Sequence, residues 1–94
     1  MAEAPPGHFL LLYFASASSY TAKDFETFKA PLPLSKLFDH LEKNYIGIKQ
    51  KVLDSCLVTI NLEYVDILDC VKGDCEILIK AGDEVAIIPP VSSG

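Results

Sequence analysis

One apolar stripe constrains what this chain can fold into more than any other feature. Leu34, Leu37, Phe38, Leu41 and Tyr45 fall at i, i+3, i+4, i+7 and i+11, which is one face of an α-helix. Asp39, Glu42 and Lys43 fall on the opposite face. Ser35 is placed to cap the N-terminus of this helix and Gly47 to stop it. Pro31 and Pro33 stand directly before it and break any strand there. Residues 48 to 55 add a short helix or turn. A chain of 94 residues with one such stripe is one small domain, and its remaining segments must build the surface that the stripe packs on.

Those segments read as strands. His8 to Phe14 is rich in apolar and aromatic residues and forms a first strand. Ala15 to Thr21 is small and polar, with three serines, and reads as a loop. Asp24 to Phe28 reads as a second strand, with Phe25 and Phe28 apolar among polar neighbours. Leu57 to Ile60 is a third strand, Asn61-Leu62-Glu63 a turn, and Tyr64 to Ile67 a fourth strand. Lys72-Gly73-Asp74 is a turn, and Cys75 to Ile79 is apolar and suited to local pairing. Ala81-Gly82-Asp83 is a turn before the last strand, Glu84 to Ile88. Strand, strand, helix, then several strands is an α+β order, with one helix on one face of a mixed sheet. If the final strand lies beside the first and parallel to it, the helix supplies the crossover that parallel pairing requires.

Composition excludes several function classes. Thirteen acids stand against eight lysines, giving a net charge of −5, and there is no arginine. Arginine is the preferred bidentate phosphate ligand, so nucleic acid is not an expected partner. A small anionic substrate would draw its positive charge from a partner protein. The longest apolar runs fall far short of a membrane span. The N-terminal stretch, residues 1 to 7, lacks a basic residue before an apolar run, argues against a signal or transit peptide, and is expected to be flexible. Cys56, Cys70 and Cys75 are an odd set, which points to reduced thiols in the cytosol. The Cys70 and Cys75 spacing lacks the partners of an iron–sulfur set, and His8 and His40 are far from it, so no metal is expected. No Ser-His-Asp arrangement or Gly-rich phosphate loop is recognisable, and no independent active site is expected.

The chemistry therefore points to the C-terminal end. The strand Val85-Ala86-Ile87-Ile88 runs into Pro89-Pro90 and then Val91-Ser92-Ser93-Gly94. Residues 89 to 94 are expected to project as a narrow tail of small side chains whose distinct group is the Gly94 carboxylate. The two prolines favour an extended stem with little entropy to lose on threading. Six residues reach at most about 20 Å. Gly94 has no Cβ and fits a tight site.

Leu12-Tyr13-Phe14-Ala15, Asn61 with Tyr64, and above all Gly82-Asp83-Glu84-Val85-Ala86-Ile87-Ile88-Pro89-Pro90-Val91 resemble the small sulfur-carrying subunits of molybdopterin synthases, a ubiquitin-like β-grasp family. The resemblance implies a single β-grasp domain over residues 1–94. It implies that a ubiquitin-activating-type enzyme uses ATP to adenylate Gly94. Sulfur then replaces AMP to give a thiocarboxylate, with no cofactor bound to the carrier itself. It implies docking on a large catalytic subunit in a heterotetramer, with sulfur delivered to cyclic pyranopterin monophosphate for molybdenum cofactor. The positions matching the family's interface hydrophobes are Phe14, Tyr64 and Ile88, with Tyr13 and Ile87 sent to the opposite face by strand alternation. Two departures stand out. Ser93 replaces the penultimate glycine usual in the family, and Asp69 to Glu76 is longer than the usual connection and reads as a surface excursion. Two rival readings share much of this sequence: a sulfur carrier for tRNA thiolation or thiamin synthesis, and a ubiquitin-like interaction domain with no chemistry at its terminus.

Overall fold

A computed structural model of the chain describes residues 4–53, 56–65 and 77–89. Five strands form one sheet: β1 (His8–Tyr13), β2 (Phe25–Lys29), β4 (Leu57–Ile60), β5 (Glu63–Val65) and β7 (Glu84–Ile88), in the spatial order β2-β1-β7-β4-β5. β1 and β7 are parallel, with Leu11 beside Val85 and Tyr13 beside Ile87. The other pairings are antiparallel. The main helix α2 (Leu34–Asn44) makes the crossover between the first strands and the last. This is the β-grasp arrangement, with a mixed sheet on one helix. The last strand is thus central, held on one side by β1 and on the other by β4.

Period-two alternation fixes which side chains meet the helix. Phe9, Leu11 and Tyr13 from β1, Val58 from β4, and Val85 and Ile87 from β7 point to one face. They pack with Leu34, Leu37, Phe38 and Leu41 of α2, all at most 3% exposed. Each fully buried side chain of this size contributes ~1.5–3 kcal/mol of transfer free energy. Phe9 also stacks on Phe28 with ring centroids 5.7 Å apart.

Several local expectations are corrected. Ala15 to Thr21 is not a plain loop. Ser16–Thr21 forms a short helix, α1, with Ala17 and Thr21 buried one turn apart. The serines are poor helix formers, but tertiary packing of the small inward residues overrides that propensity. Thr21 Oγ1 donates to the Ala17 carbonyl at 3.1 Å. The prolines before α2 do not abolish pairing. Leu32–Pro33 forms β3, which pairs antiparallel with β6 (Leu78–Ile79) in a separate two-stranded sheet. A proline is tolerated in so short and marginal a ladder. β6 therefore pairs with a distant segment, whereas local pairing was expected.

Ser35 is not the helix cap. Pro33 occupies that position, and Ser35 lies inside the first turn. The Leu34 amide instead donates to the Ile77 carbonyl at 2.9 Å, so the β3–β6 strand pair satisfies a helix amide that a side chain would otherwise serve. At the other end α2 stops at Asn44, and the Glu42 carboxylate accepts from the amides of Gly47 (2.7 Å) and Lys49 (3.0 Å). Gly47 has φ +94°, and a Cβ there would lie 2.8 Å from the Tyr20 hydroxyl, so glycine is required. A single π-helical turn, Lys49–Leu53, follows. The expected strand at 64–67 is described through Val65. Asp66 and Ile67, the turn at 72–74, and the 69–76 stretch with Cys70 and Cys75 lie outside the described residues.

Candidate functional site

The face of the sheet away from α2 carries the candidate site. Register aligns Phe25, Leu12, Ala86, Thr59 and Tyr64 in one row across all five strands. Toward the end of β7, Leu57 pairs with Ile88. Phe14 follows β1, and its amide donates to the Ile87 carbonyl at 3.1 Å, which continues the β1–β7 ladder by one step. Four large apolar side chains stand open on this side: Phe14 at 46%, Phe25 at 46%, Leu57 at 55% and Tyr64 at 72% exposure. Ile88 is half-buried among them.

Phe14 and Ile88 are brought together at the end of the two central strands. Tyr64 sits two strands from β7, with β4 between. Their chain neighbours Tyr13 and Ile87 are buried on the helix side, at 3% and 0% exposure. Pro89, expected as the first residue of the projecting tail, is instead buried, so the chain stays seated on the body through that residue. Pro90, Val91, Ser92, Ser93 and Gly94 lie outside the described residues.

Two members of this face were not singled out from sequence. Leu57 opens β4 and bridges Ile88 to the Tyr64 side. Phe25 was grouped with Phe28, but residues three apart in a strand point to opposite faces. Phe28 faces the core and Phe25 the open side. Strict counting by two along β2 was the signal that separates them.

A polar clamp beneath this face fixes its geometry. The Tyr13 hydroxyl donates a short hydrogen bond to Glu26 Oε2. Tyr45 donates to the same oxygen at 3.0 Å, and Lys23 Nζ to Oε1 at 3.0 Å. Partial burial acts to raise the Glu26 pKa, but the three donors outweigh it and hold the carboxyl below its ordinary range. Burial, then the bond to Glu26, pushes the Tyr13 phenol up. The clamp joins β1, β2 and the end of α2, and it sets the orientation of the strand that delivers Phe14. At the opposite end of β7, Asn61 Nδ2 donates to Asp83 at 3.1 Å and Asn61 Oδ1 accepts the Glu84 amide at 3.0 Å. β7 is therefore secured by side chains where it starts and by backbone pairing where it ends.

Burial pushes the Cys56 thiol up to about 11, so it stays protonated at neutral pH. Among the described residues, no group of three or more His, Cys, Asp or Glu is placed to hold a metal ion. No helix among them is long and apolar enough to cross a membrane.

With this geometry in view, the ThiS family profile matches residues 11–94. The chain belongs to the ThiS family. It is 58% identical over 92 residues to the molybdopterin synthase sulfur carrier subunit of Phaeosphaeria nodorum, covering 98% of this chain and 96% of that one. Among solved structures, it is similar to a putative molybdopterin converting factor subunit 1 from Pyrococcus furiosus. That match has a TM-score of 0.68 and 22% identity, and covers 89% of this chain and 98% of that one. It is also similar to a chain from the complex of subunits 1 and 2 of molybdopterin-converting factor from Helicobacter pylori. There the TM-score is 0.62 and the identity 22%, over 93% and 99% of the two chains. At that identity the structural matches speak to the fold alone.

Proposed function

We propose that this chain is the sulfur carrier subunit of a molybdopterin synthase, and that its working group is the Gly94 carboxylate. The observation that carries the reading is its 58% identity to a sulfur carrier subunit across nearly the whole of both chains. The geometry supports it: a rigid central strand ends at Ile88 beside open apolar side chains. In this reading Gly94 is adenylated by a ubiquitin-activating-type enzyme at the expense of ATP, and sulfur replaces AMP. The thiocarboxylate then donates its sulfur to cyclic pyranopterin monophosphate. The carrier contributes a reactive terminus and no acid–base group. The large subunit supplies the cationic pocket that this arginine-free chain lacks.

Docking on the large subunit uses Phe14, Ile88 and Tyr64, joined by Leu57 and Phe25. Apolar and aromatic side chains at the centre of an interface supply most of its energy. Pro89 and Pro90 form the stem, and Val91, Ser92 and Ser93 pass through a confined channel. The assembly is a heterotetramer, and its setting is the cytosol, where thiols stay reduced. The Helicobacter pylori complex pairs subunit 1 with subunit 2 of molybdopterin-converting factor, and the large subunit is the corresponding partner of this chain.

The test is single-turnover sulfur transfer from preformed thiocarboxylate to the large subunit with its substrate. Full-length carrier is expected to yield molybdopterin and a carrier lacking Gly94 none. Ser93→Gly is expected to keep most activity and Ser93→Phe to lose it. Normal product from the carrier without Gly94 overturns the reading. Full activity of Ser93→Phe overturns the threading step alone.

A further inference from the structure

A groove lies on the helix side of the sheet, on the opposite face from Phe14 and Ile88. It has a volume of about 450 Å³ and is lined by Phe28, Lys29 and Leu32 together with Lys36, Asp39, His40 and Lys43 of α2. The four α2 residues fall at i, i+3, i+4 and i+7, one helix face that looks onto β2. Phe28 and His40 meet edge to face across the floor, with ring centroids 5.1 Å apart.

Charge in this groove runs against the rest of the molecule. The chain carries −5, yet three lysines, Lys29, Lys36 and Lys43, are among the residues lining this groove. The one acid there, Asp39, already accepts a short hydrogen bond from Lys49 outside the groove. Lysines therefore outnumber acids in the lining of the groove.

The groove also borders an edge. β2 is the outermost strand, and among the described residues no strand pairs with its outer side. Tyr13 donates to the Asp24 carbonyl and Ala30 to the Gly7 carbonyl. In an antiparallel pair this places the backbone groups of even-numbered residues 24 to 30 toward β1. Those of Phe25, Thr27 and Lys29 point outward and are available to a further strand.

We propose that the β2–α2 groove binds an extended peptide of a partner protein, one with a short apolar stretch flanked by acidic residues. The peptide adds to β2 as a sixth strand through the backbone groups of Phe25, Thr27 and Lys29. Its apolar side chains enter over Phe28, Leu32 and the His40 ring, and its carboxylates lie along Lys36 and Lys43. The groove lies on the opposite face of the sheet from the side chains proposed to dock the large subunit, and the two sites share only Phe25, by its backbone here and its side chain there.

The probe is an acetylated peptide of four β-branched apolar residues followed by four glutamates, titrated to millimolar concentration into the full chain and followed by amide NMR. Shifts confined to β2 and the groove-facing side of α2, with slowed exchange at the Phe25, Thr27 and Lys29 amides, are expected. Lys36→Glu with Lys43→Glu leaves the spectrum folded, since both side chains are exposed. It is expected to raise Kd by roughly fivefold or more, as does added salt. A peptide with lysines in place of the glutamates is expected to bind no better than the charge-reversed variant binds the original. Absence of shifts at the highest concentration overturns the proposal. So do shifts centred on Phe14, Leu57 and Ile88, or binding indifferent to the charge reversal.

Discussion

The two faces of the sheet are built from the same strands and serve opposite ends. On the helix side, Phe9, Leu11, Tyr13, Val85 and Ile87 are at most 3% exposed. On the open side, Phe14, Phe25, Leu57 and Tyr64 are all at least 46% exposed. Tyr13 and Phe14, or Ile87 and Ile88, are chain neighbours with different tasks. Alternation thus separates stability from recognition at single-residue spacing. A substitution on one face changes the energy of folding, whereas the same substitution one position along acts on association.

The sharpest way to break this comparison is to truncate neighbours. Ile87→Ala is expected to cost about 2–5 kcal/mol of folding stability by opening a cavity in the core. Ile88→Ala, half-buried, is expected to cost under about 1 kcal/mol. Urea unfolding of the two variants checks the contrast, and equal losses would mean that Ile88 belongs to the core. Next in size, Phe14→Asp or Ile88→Asp is expected to weaken association with the large subunit by about 2 kcal/mol, roughly thirtyfold. Titration calorimetry reads this, with near-native unfolding midpoints as the control. Unchanged affinity removes these residues from the interface.

The clamp under the face offers a pH-dependent test. Glu26→Gln weakens three hydrogen bonds to a carboxylate and is expected to cost about 1–3 kcal/mol at pH 7. The folded-state pKa of Glu26 lies below its unfolded value. Its stabilisation is therefore complete above the unfolded pKa of about 4.3 and disappears as the pH falls through the lower folded value. The difference between wild type and Glu26→Gln should be constant near neutrality and shrink below about pH 4. A gap that persists in acid would assign the loss to packing. The smallest effect concerns Ala15, which sits between Phe14 and α1 with φ 50° and ψ −127°. Ala15→Gly relieves that conformation and is expected to raise stability by about 0.5–1 kcal/mol at most, offset in part by the looser unfolded chain. Thermal unfolding checks it, and a destabilised variant would show that the backbone there is unstrained.

Much of this architecture was legible because it follows from periodicity. The α2 stripe and the boundaries of β4 and β7 rest on side-chain spacing, whereas the parallel placement of the first and last strands came with the β-grasp arrangement, which the helix crossover fits. What sequence could not show depended on partners far along the chain. α1 forms from weak helix formers because Ala17 and Thr21 find a buried niche. Leu34 needs no side-chain cap because Ile77 arrives from a remote segment. On the candidate site, the family resemblance marked Phe14 and Ile88, and alternation placed their neighbours Tyr13 and Ile87 on the other face. Leu57 was not readable, since an apolar residue at the start of LVTI gives no sign of which face stays uncovered until the helix is placed.

The position of β7 has a consequence for the timing of synthesis. It is the last strand in chain order, yet it stands between β1 and β4 and joins the two halves of the sheet. Until residues 84–88 have left the ribosome, Phe9, Leu11 and the α2 stripe have no closed core to enter, and this is the state most prone to aggregate. Completion of the sheet and arrival of the stem that follows it are then nearly one event. A nascent chain stopped before residue 84 has β1 and β4 with nothing to join them, and so no closed core.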